Sequence, residues 1–134
     1  MTVRLNDYHD LPVIQALYEA AGFDPPSGWA WTGDWSGWWL LAEDDARRPL
    51  GCVQLTMSRP QAVLESLCVP TVFPHRLKAR VVRQLAYTAK AVLRQLGGIQ
   101  SVRFQAEPSG MWERVLIKRG AWRIHSYPTY AIGV

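Results

Sequence analysis

Four basic side chains cluster at the start of the longest predicted helix: Arg76, Lys78, Arg80 and Arg83. Cations at the amino end of a helix oppose the helix dipole, whereas an anion there is stabilised by the dipole and by backbone N–H groups. The cluster therefore favours a phosphate-bearing partner, with a solvated helix face as the alternative. The formal net charge of the chain is only +4, which is too small for a dedicated nucleic-acid-binding protein.

A short aromatic segment is the second candidate for chemistry, because five of the seven tryptophans fall between residues 29 and 39. Trp29, Trp31 and Trp35 could form an aromatic wall for an amine, a peptide or a base. The alternative is core, or a surface that packs on a protein partner, since tryptophan is enriched at interfaces. Trp38 and Trp39 are adjacent in a predicted strand, so they face opposite sides and at least one belongs to the core.

The thiols and imidazoles do not form a recognisable centre. Cys52 and Cys68 lie in apolar, strand-like runs, which favours reduced core thiols over a nucleophile. His9, His75 and His125 are scattered, and no Ser/His/Asp or Cys/His nucleophile motif accompanies them. No Cys/His spacing typical of a metal site occurs either.

The elements that must position these residues alternate between strand and helix patterns. Their order is β-α-β-β-β-α-β-α-β, with an antiparallel first half and a βαβ second half. This predicts a single domain over residues 1–134 of the α/β (α+β) class, with one mixed central sheet flanked by helices. The predicted strands are 2–6, 38–42, 49–57, 62–69, 99–106 and a broken terminal segment over 121–134, and the predicted helices are 11–21, 74–96 and 108–119.

Hydrophobic periodicity also predicts which faces are buried. In the strand 62–69, alternation places Val63, Glu65, Leu67 and Val69 on one face. In the first helix, the apolar stripe is formed by Leu11, Ile14, Leu17, Tyr18 and Ala21. In the helix 74–96, it is formed by Leu77, Val81, Leu85, Ala89, Val92 and Leu96.

This order of elements resembles that of the GNAT superfamily of N-acetyltransferases, over nearly the whole chain. Leu67-Cys68-Val69, followed by a loop, an arginine and a long helix, is similar to the family's cofactor segment with its pattern Arg/Gln-x-x-Gly-x-Gly/Ala. Ile117-Lys118-Arg119-Gly120-Ala121-Trp122 is similar to the family's late signature, a helix that ends in glycine before an aromatic or apolar residue. The strands around 38–42 and 49–53 resemble the family's second and third strands.

The resemblance implies an acetyl-CoA-dependent N-acyltransferase that acts on an amine. In this family, N–H groups at the start of the helix hold the pyrophosphate of acetyl-CoA. A bulge splays the central strand from its parallel neighbour, and the pantetheine arm lies in the gap. The residues expected to bind the cofactor are Leu67, Val69, Arg76, Leu77, Lys78, Ala79, Arg80 and Val81.

The resemblance also implies catalytic roles. Glu65 lies on the strand where relatives often place a general base, and partial burial would raise the pKa of its carboxyl toward that task. The alternative is a carboxylate that faces solvent or pairs with an arginine. Trp29, Trp31 and Trp35 would line the amine site.

The proton donor to the leaving thiolate is less clearly placed. Many relatives carry a tyrosine four residues before the late glycine, and Leu116 stands at that position here. Tyr127 is the first candidate for this proton donor, and Tyr130, Ser109 and His125 are further candidates.

Departures from the family pattern support a second hypothesis. Ala79 and Val81 stand where the family has glycine and glycine or alanine. A catalytically inactive GNAT-like protein would instead bind a protein partner through its Trp-rich surface. The segment Ile117–Ala121 and the short chain weakly resemble acetyltransferase-like proteins of tailed phages, which would imply a role in virion assembly. The amino terminus has no apolar signal segment, so a cytoplasmic or virion-associated location without a membrane partner is expected.

Overall fold

The structure, a computed structural model, describes residues 1–24, 37–105, 114, 117–120, 122–123 and 129–133. Within these residues, seven strands form one mixed sheet in the order β1-β2-β3-β4-β5-β7-β6. The strands are β1 (Thr2–Leu5), β2 (Gly37–Glu43), β3 (Pro49–Ser58), β4 (Gln61–Cys68), β5 (Ser101–Gln105), β6 (Trp122–Arg123) and β7 (Thr129–Gly133). The helices are a 3-10 turn at Tyr8–Asp10, α1 (Leu11–Ala20) and α2 (His75–Leu96).

One pair of neighbouring strands in the middle of the sheet is parallel, and the other pairs are antiparallel. β1 to β4 pair antiparallel in sequence order, β4 and β5 pair parallel, and β7 joins β5 and β6 antiparallel. This confirms the predicted mixed sheet. The predicted helix 108–119 lies mostly outside the described residues. Gly120 closes a turn, as predicted, because its φ is +90° and its N–H donates to the Ile117 carbonyl at 3.0 Å.

The two helices cover opposite faces of the sheet, because successive residues of β2 point to different clusters. On the α1 face, Trp39 and Leu41 pack with the buried stripe of α1. On the α2 face, Leu40 and Ala42 pack with the stripe of α2. Trp39 is 1% exposed and Trp38 37% exposed, which confirms that one member of this pair is core.

Helix α2 buries Val81, Leu85, Ala89 and Leu93. The prediction that Leu96 belongs to the buried stripe is wrong, because Leu96 is 45% exposed. Leu93, about one turn earlier, is fully buried instead. Steps of four residues follow the face that meets the sheet, and Leu93 continues that series. Gly97 ends the helix with φ +73°, and its N–H donates to the Leu93 carbonyl at 3.1 Å. No helix in the described ranges is long and apolar enough to cross a membrane.

An ion-pair network fastens the amino-terminal strand to its neighbours. The guanidinium of Arg4 donates to both carboxylate oxygens of Asp10 at 2.7 Å and to Glu43 on β2. Asp10 and Glu43 are buried. The hydrogen bond from Arg4 is the main cause that lowers the pKa of the Asp10 carboxyl. Asp10 also accepts from the Asp7 N–H, so the network fixes the entry into α1.

Candidate active and cofactor site

A gap opens in the sheet between its two parallel strands. β4 and β5 are in register at Gln61↔Ser101, Ala62↔Val102 and Val63↔Arg103, and the pairing ends there. Both strands continue, β4 to Cys68 and β5 to Gln105. The two strands therefore diverge beyond Val63, and a cleft forms at their carboxyl ends.

A β-bulge lies in the diverging part of β4. The register with β3 changes from Gln54↔Glu65 to Cys52↔Cys68, so β4 contains one residue more than β3 over this stretch. Ser66 adopts a φ of +53°, which costs a non-glycine residue roughly 1–3 kcal/mol. A bulge bends its strand and increases the local twist, which separates β4 from β5.

The loop after β4 leads directly into the amino end of α2. Its position is fixed on α1, because the Thr71 N–H donates to the Ala20 carbonyl at 3.1 Å. The first acceptor inside α2 is the Pro74 carbonyl, which binds the Lys78 N–H at 3.0 Å. The N–H groups of His75, Arg76 and Leu77 precede this bond and point out of the helix end.

The charge at this end of α2 suits an anion. The first turn contains no acidic residue. Arg76, Arg80 and Arg83 are exposed, and Lys78 is half-buried. The outward N–H groups, the helix dipole and these cations together form a site that fits a pyrophosphate.

Several solved structures resemble this chain over nearly its whole length. The GNAT family N-acetyltransferase YhbS from Escherichia coli, in complex with CoA, is 17% identical, with a TM-score of 0.73 over 98% of this chain and 80% of that one. The ribosomal-protein-S18-alanine N-acetyltransferase from Escherichia coli is 13% identical, with a TM-score of 0.72 over 99% and 93%. The PaiA N-acetyltransferase from Thermoplasma acidophilum, in complex with coenzyme A, is 12% identical, with a TM-score of 0.65 over 100% of both chains.

The chain has the GNAT fold. At these identities the likeness shows the fold alone, and fold does not determine activity. No protein-family model matches the sequence, and no curated protein matches it.

The bulge changes the face of the sheet to which the following side chains of β4 point. Glu65 pairs with Gln54, whose neighbours Val53 and Leu55 belong to the α2-side clusters. Glu65 therefore lies on the α1 face, whereas Leu67 and Val69 pack in the cluster beneath α2. The prediction that these three residues share one face is wrong, because the extra residue shifts the alternation by one.

Glu65 itself is exposed, so the expected partial burial is absent. It stands next to the bulge, at the mouth of the cleft. No ion pair reaches its carboxylate from any described residue. The carboxylate of Glu65 therefore faces solvent, which was the alternative expectation. Its role as a general base stays a prediction.

The residues expected to bind the cofactor lie at the end of β4, in the first turn of α2 and further inside α2. Arg76 and Leu77 belong to the first turn of α2, and Leu67 and Val69 flank the end of β4. The N–H groups of Ala79, Arg80 and Val81 lie inside the helix, where each serves the helical ladder.

Val81 is placed in the core. Its side chain is fully buried and packs against β3 beside Gly51. A Cβ at Gly51 would approach Val81 Cγ1 to 2.8 Å and the Cys68 carbonyl oxygen to 2.9 Å, so the glycine permits the close approach of α2. Val81 therefore packs α2 onto the sheet and presents no side-chain surface to a ligand.

A hydrogen-bonded cluster under the bulge was not found by sequence reasoning. Tyr18, on the buried stripe of α1, accepts a hydrogen bond from Trp39 Nε1 at 3.2 Å. Burial raises the pKa of Tyr18, and the bond from Trp39 acts in the opposite direction. Periodicity predicted that Tyr18 is buried, but it carries no information about which strand residue the hydroxyl meets.

Cys52 and Cys68 lie opposite each other on neighbouring strands and are free, fully buried thiols. The hydrogen bond with Cys68, together with burial, raises the pKa of the Cys52 thiol. A raised pKa keeps the group protonated and unreactive. The prediction that these are structural core thiols is confirmed.

Arg103 marks the point where the two parallel strands separate. It pairs with Val63 in the last register position of β4 and β5. Its Nε is buried and has no hydrogen-bond partner in the described part of the chain. The sequence of the strand 99–106 does not indicate that its single arginine lies where the two parallel strands separate.

Four predicted site residues lie outside the described residues. They are the three tryptophans assigned to the amine site, Trp29, Trp31 and Trp35, and the assigned proton donor, Tyr127. Their roles stay predictions.

Proposed function

We propose that this protein is an acetyl-CoA-dependent N-acyltransferase that transfers an acyl group to an amine. The observation that carries the proposal is the cleft between β4 and β5, bulged at Ser66, which leads straight to the basic amino end of α2. A strand gap suits an extended pantetheine arm, and a helix amino end suits a pyrophosphate. Both features lie on one continuous stretch of chain.

The chain's own groups can hold the two parts of the cofactor. The N–H groups of His75, Arg76 and Leu77 would bind the pyrophosphate, with the Arg76 guanidinium as a second donor. The backbone of β4 between Leu67 and Val69 would hydrogen-bond the pantetheine arm where β4 has left β5. Acetyl-CoA, when bound, supplies an activated thioester.

Proton transfer would be carried by residues around the mouth of the cleft. Glu65, exposed beside the bulge, would accept a proton from the attacking ammonium directly or through a water molecule. Tyr127 would donate a proton to the leaving thiolate, and Trp29, Trp31 and Trp35 would contact the amine. The identity of the amine is left open by these residues.

Calorimetry with acetyl-CoA tests the proposal. We expect micromolar binding by the native chain, and Arg76→Ala should weaken it by about tenfold, the loss of one charge-assisted hydrogen bond. The matched control is Arg94→Ala, which removes a cation from the last turn of the same helix and should leave the affinity unchanged. Absence of binding by the folded native chain would refute the proposal.

A second function is favoured by one specific observation. The first turn of α2 consists of His75, Arg76, Leu77 and Lys78 and contains no glycine, so the backbone is less open to a close ligand than in the family pattern. This departure would suit a non-catalytic protein that binds a partner through its Trp-rich segment, as in virion assembly. The same calorimetry separates the two, because only the enzyme must bind acetyl-CoA.

A further inference from the structure

An arginine lies inside the sheet at the point where the cleft begins. Arg103 stands in the middle of β5, between Val63 of β4 and Ala131 of β7. Its Nε is buried and finds no hydrogen-bond partner in the parts of the chain that the structure describes. A buried donor without an acceptor is destabilising, and more so when it belongs to a cation. This donor therefore calls for an acceptor from outside the described residues.

Arg103 and Glu65 lie on the same face of the sheet. Val102 packs with Leu93 of α2, so the next residue of β5, Arg103, points to the opposite face, the α1 face. Glu65 also lies on the α1 face, two residues beyond Val63, which pairs with Arg103. With strands about 4.8 Å apart and a rise of about 3.3 Å per residue, the Cα atoms of Glu65 and Arg103 are separated by about 8 Å or slightly more.

The two side chains carry opposite charges, and no described residue neutralises either of them. The ion pairs within the described ranges involve the cations of Met1, Arg4 and Arg48, and neither Glu65 nor Arg103 takes part in them. Glu65 is exposed, whereas Nε of Arg103 is buried. The border of the cleft thus presents an unpaired carboxylate beside an unpaired guanidinium, which is the complement of a molecule with both an ammonium and a carboxylate group.

We propose that Arg103 binds a carboxylate of the acceptor, so that the substrate class is amino acids. The guanidinium is a planar fork, and its Nε–H and one Nη–H match the two oxygens of a carboxylate. Glu65 faces the ammonium of the same molecule and takes its proton, and the nitrogen then bonds to the thioester carbon while the C–S bond breaks and CoA leaves as the thiolate. The role of the amino acid as acyl acceptor rests on the proposed function, whereas carboxylate binding by Arg103 does not.

Amino-acid amides separate this proposal from a purely structural role of Arg103. The α-carboxamide of an amino acid keeps the amino group and the side chain and lacks only the negative charge that Arg103 would bind. Comparing an amino acid with its amide on the native chain needs no substitution, so the result does not depend on whether a variant folds.

NMR of the Arg103 Nε–H group tests the carboxylate site directly. The resonance is assigned by its loss in Arg103→Gln, and the native chain is titrated with each of the common L-amino acids and with its amide, with and without CoA. We expect at least one amino acid to shift the resonance, and its amide to bind about 10- to 100-fold more weakly, the loss of a charge-assisted bidentate pair. No shift with any amino acid, or equal affinities for acid and amide, would overturn the proposal.

Calorimetry with two variants locates the effect at Arg103. Arg103→Gln should weaken binding of the amino acid about 10- to 100-fold and leave the affinity for its amide unchanged, so that acid and amide bind equally. Arg94→Gln, at an exposed position in the last turn of α2, should change neither affinity. An equal loss for acid and amide in Arg103→Gln would mean that the arginine acts only through the fold.

Release of the CoA thiol from acetyl-CoA tests the acceptor role separately. The amino acid that shifts the Arg103 resonance should be acetylated, with a kcat/KM about 10- to 100-fold above that of its amide. If the native chain binds no acetyl-CoA, the proposed function fails and the NMR titration alone decides the carboxylate site. If the chain binds acetyl-CoA and acetylates only amines without a carboxylate, the proposed function stands and the assignment of amino acids as substrates fails.

Discussion

The α1 face and the α2 face of the sheet bury side chains of different chemical kinds. Beneath α2 the cluster is apolar throughout, with Val81 and Leu85 packed on Leu40 and Val53. Beneath α1 the core contains a phenol hydroxyl, an indole N–H and two thiols, and the indole N–H of Trp39 donates to the hydroxyl of Tyr18. Both clusters meet at β4, the strand that borders the cleft.

The two faces of the sheet therefore contribute to the structure in different ways. Apolar burial is nondirectional and scales with area, so the α2 face stabilises the fold without selecting one geometry for β4. Hydrogen bonds have narrow distance and angle requirements, so the bond from Trp39 to Tyr18 fixes how α1 sits on β2. We therefore expect changes beneath α2 to alter mainly the free energy of unfolding, and changes beneath α1 to alter also the local geometry of the sheet.

The largest effect should come from the α2 face. Val81→Gly removes a fully buried side chain and places glycine inside a helix, which together should lower the free energy of unfolding by about 3 kcal/mol. Ala79→Gly, at an exposed position of the same helix, should cost about 1 kcal/mol. Urea unfolding measures both values.

The same pair tests where the phosphate site lies. Neither glycine should strengthen acetyl-CoA binding, because both positions follow the first turn of α2. Tighter binding of acetyl-CoA by Val81→Gly would show that the Val81 side chain blocks the cofactor and that the phosphate site lies further inside α2.

An intermediate effect should come from the amino-terminal ion pairs. Arg4→Met leaves the buried carboxylates of Asp10 and Glu43 without their cation, and loss of one partner of a buried pair costs about 3–5 kcal/mol. Arg4 is 41% exposed, so solvent screening reduces this to about 2 kcal/mol. Thermal or urea unfolding at pH 7 measures the loss.

The pH dependence of the free energy of unfolding provides a second test of this ion-pair network. The pKa of Asp10 is lowered in the folded state, mainly by the hydrogen bond from Arg4. A depressed pKa contributes stability above the unfolded value of about 3.9 and loses it as the pH falls through the folded value. Between pH 5 and pH 2 the native chain should therefore lose more stability than Arg4→Met. Parallel curves would mean that Asp10 is not coupled to Arg4.

Much of this fold was predictable because its elements carry regular signals. The α1 stripe, the β2–β3 hairpin, Gly97 at the end of α2 and Gly120 at the late turn follow from periodicity and glycine chemistry. The bulge was anticipated only through the family resemblance, since Glu65-Ser66-Leu67 continues the strand pattern without a glycine. Alternation therefore misplaced Leu67 and Val69 relative to Glu65.

The amino end of α2 was predictable from the sequence, and its role in binding a cofactor stays a prediction. The predicted helix 74–96 contains the basic cluster in its first turns, and α2 begins at His75. The motif aligned on Arg76 therefore extends into the helix, where the N–H groups of Ala79 and Val81 serve the helical ladder. The hydroxyl of Tyr18 meets the indole N–H of Trp39, 21 positions away in the chain, and no local pattern encodes such a contact.

The smallest effect is expected at Ser66, and its sign sharpens the comparison of the two faces. Ser66→Ala removes an exposed hydroxyl and keeps the left-handed backbone strain, so its free energy of unfolding should stay within about 0.5 kcal/mol of the native value. Ser66→Gly relieves strain of roughly 1–2 kcal/mol, while glycine adds about 0.5–1 kcal/mol of unfolded-chain entropy. Ser66→Gly should therefore be more stable than Ser66→Ala by about 0.5–1 kcal/mol. Within a strand glycine is ordinarily the weaker of the two residues, so the usual order in urea unfolding would show that Ser66 does not hold a left-handed bulge in solution.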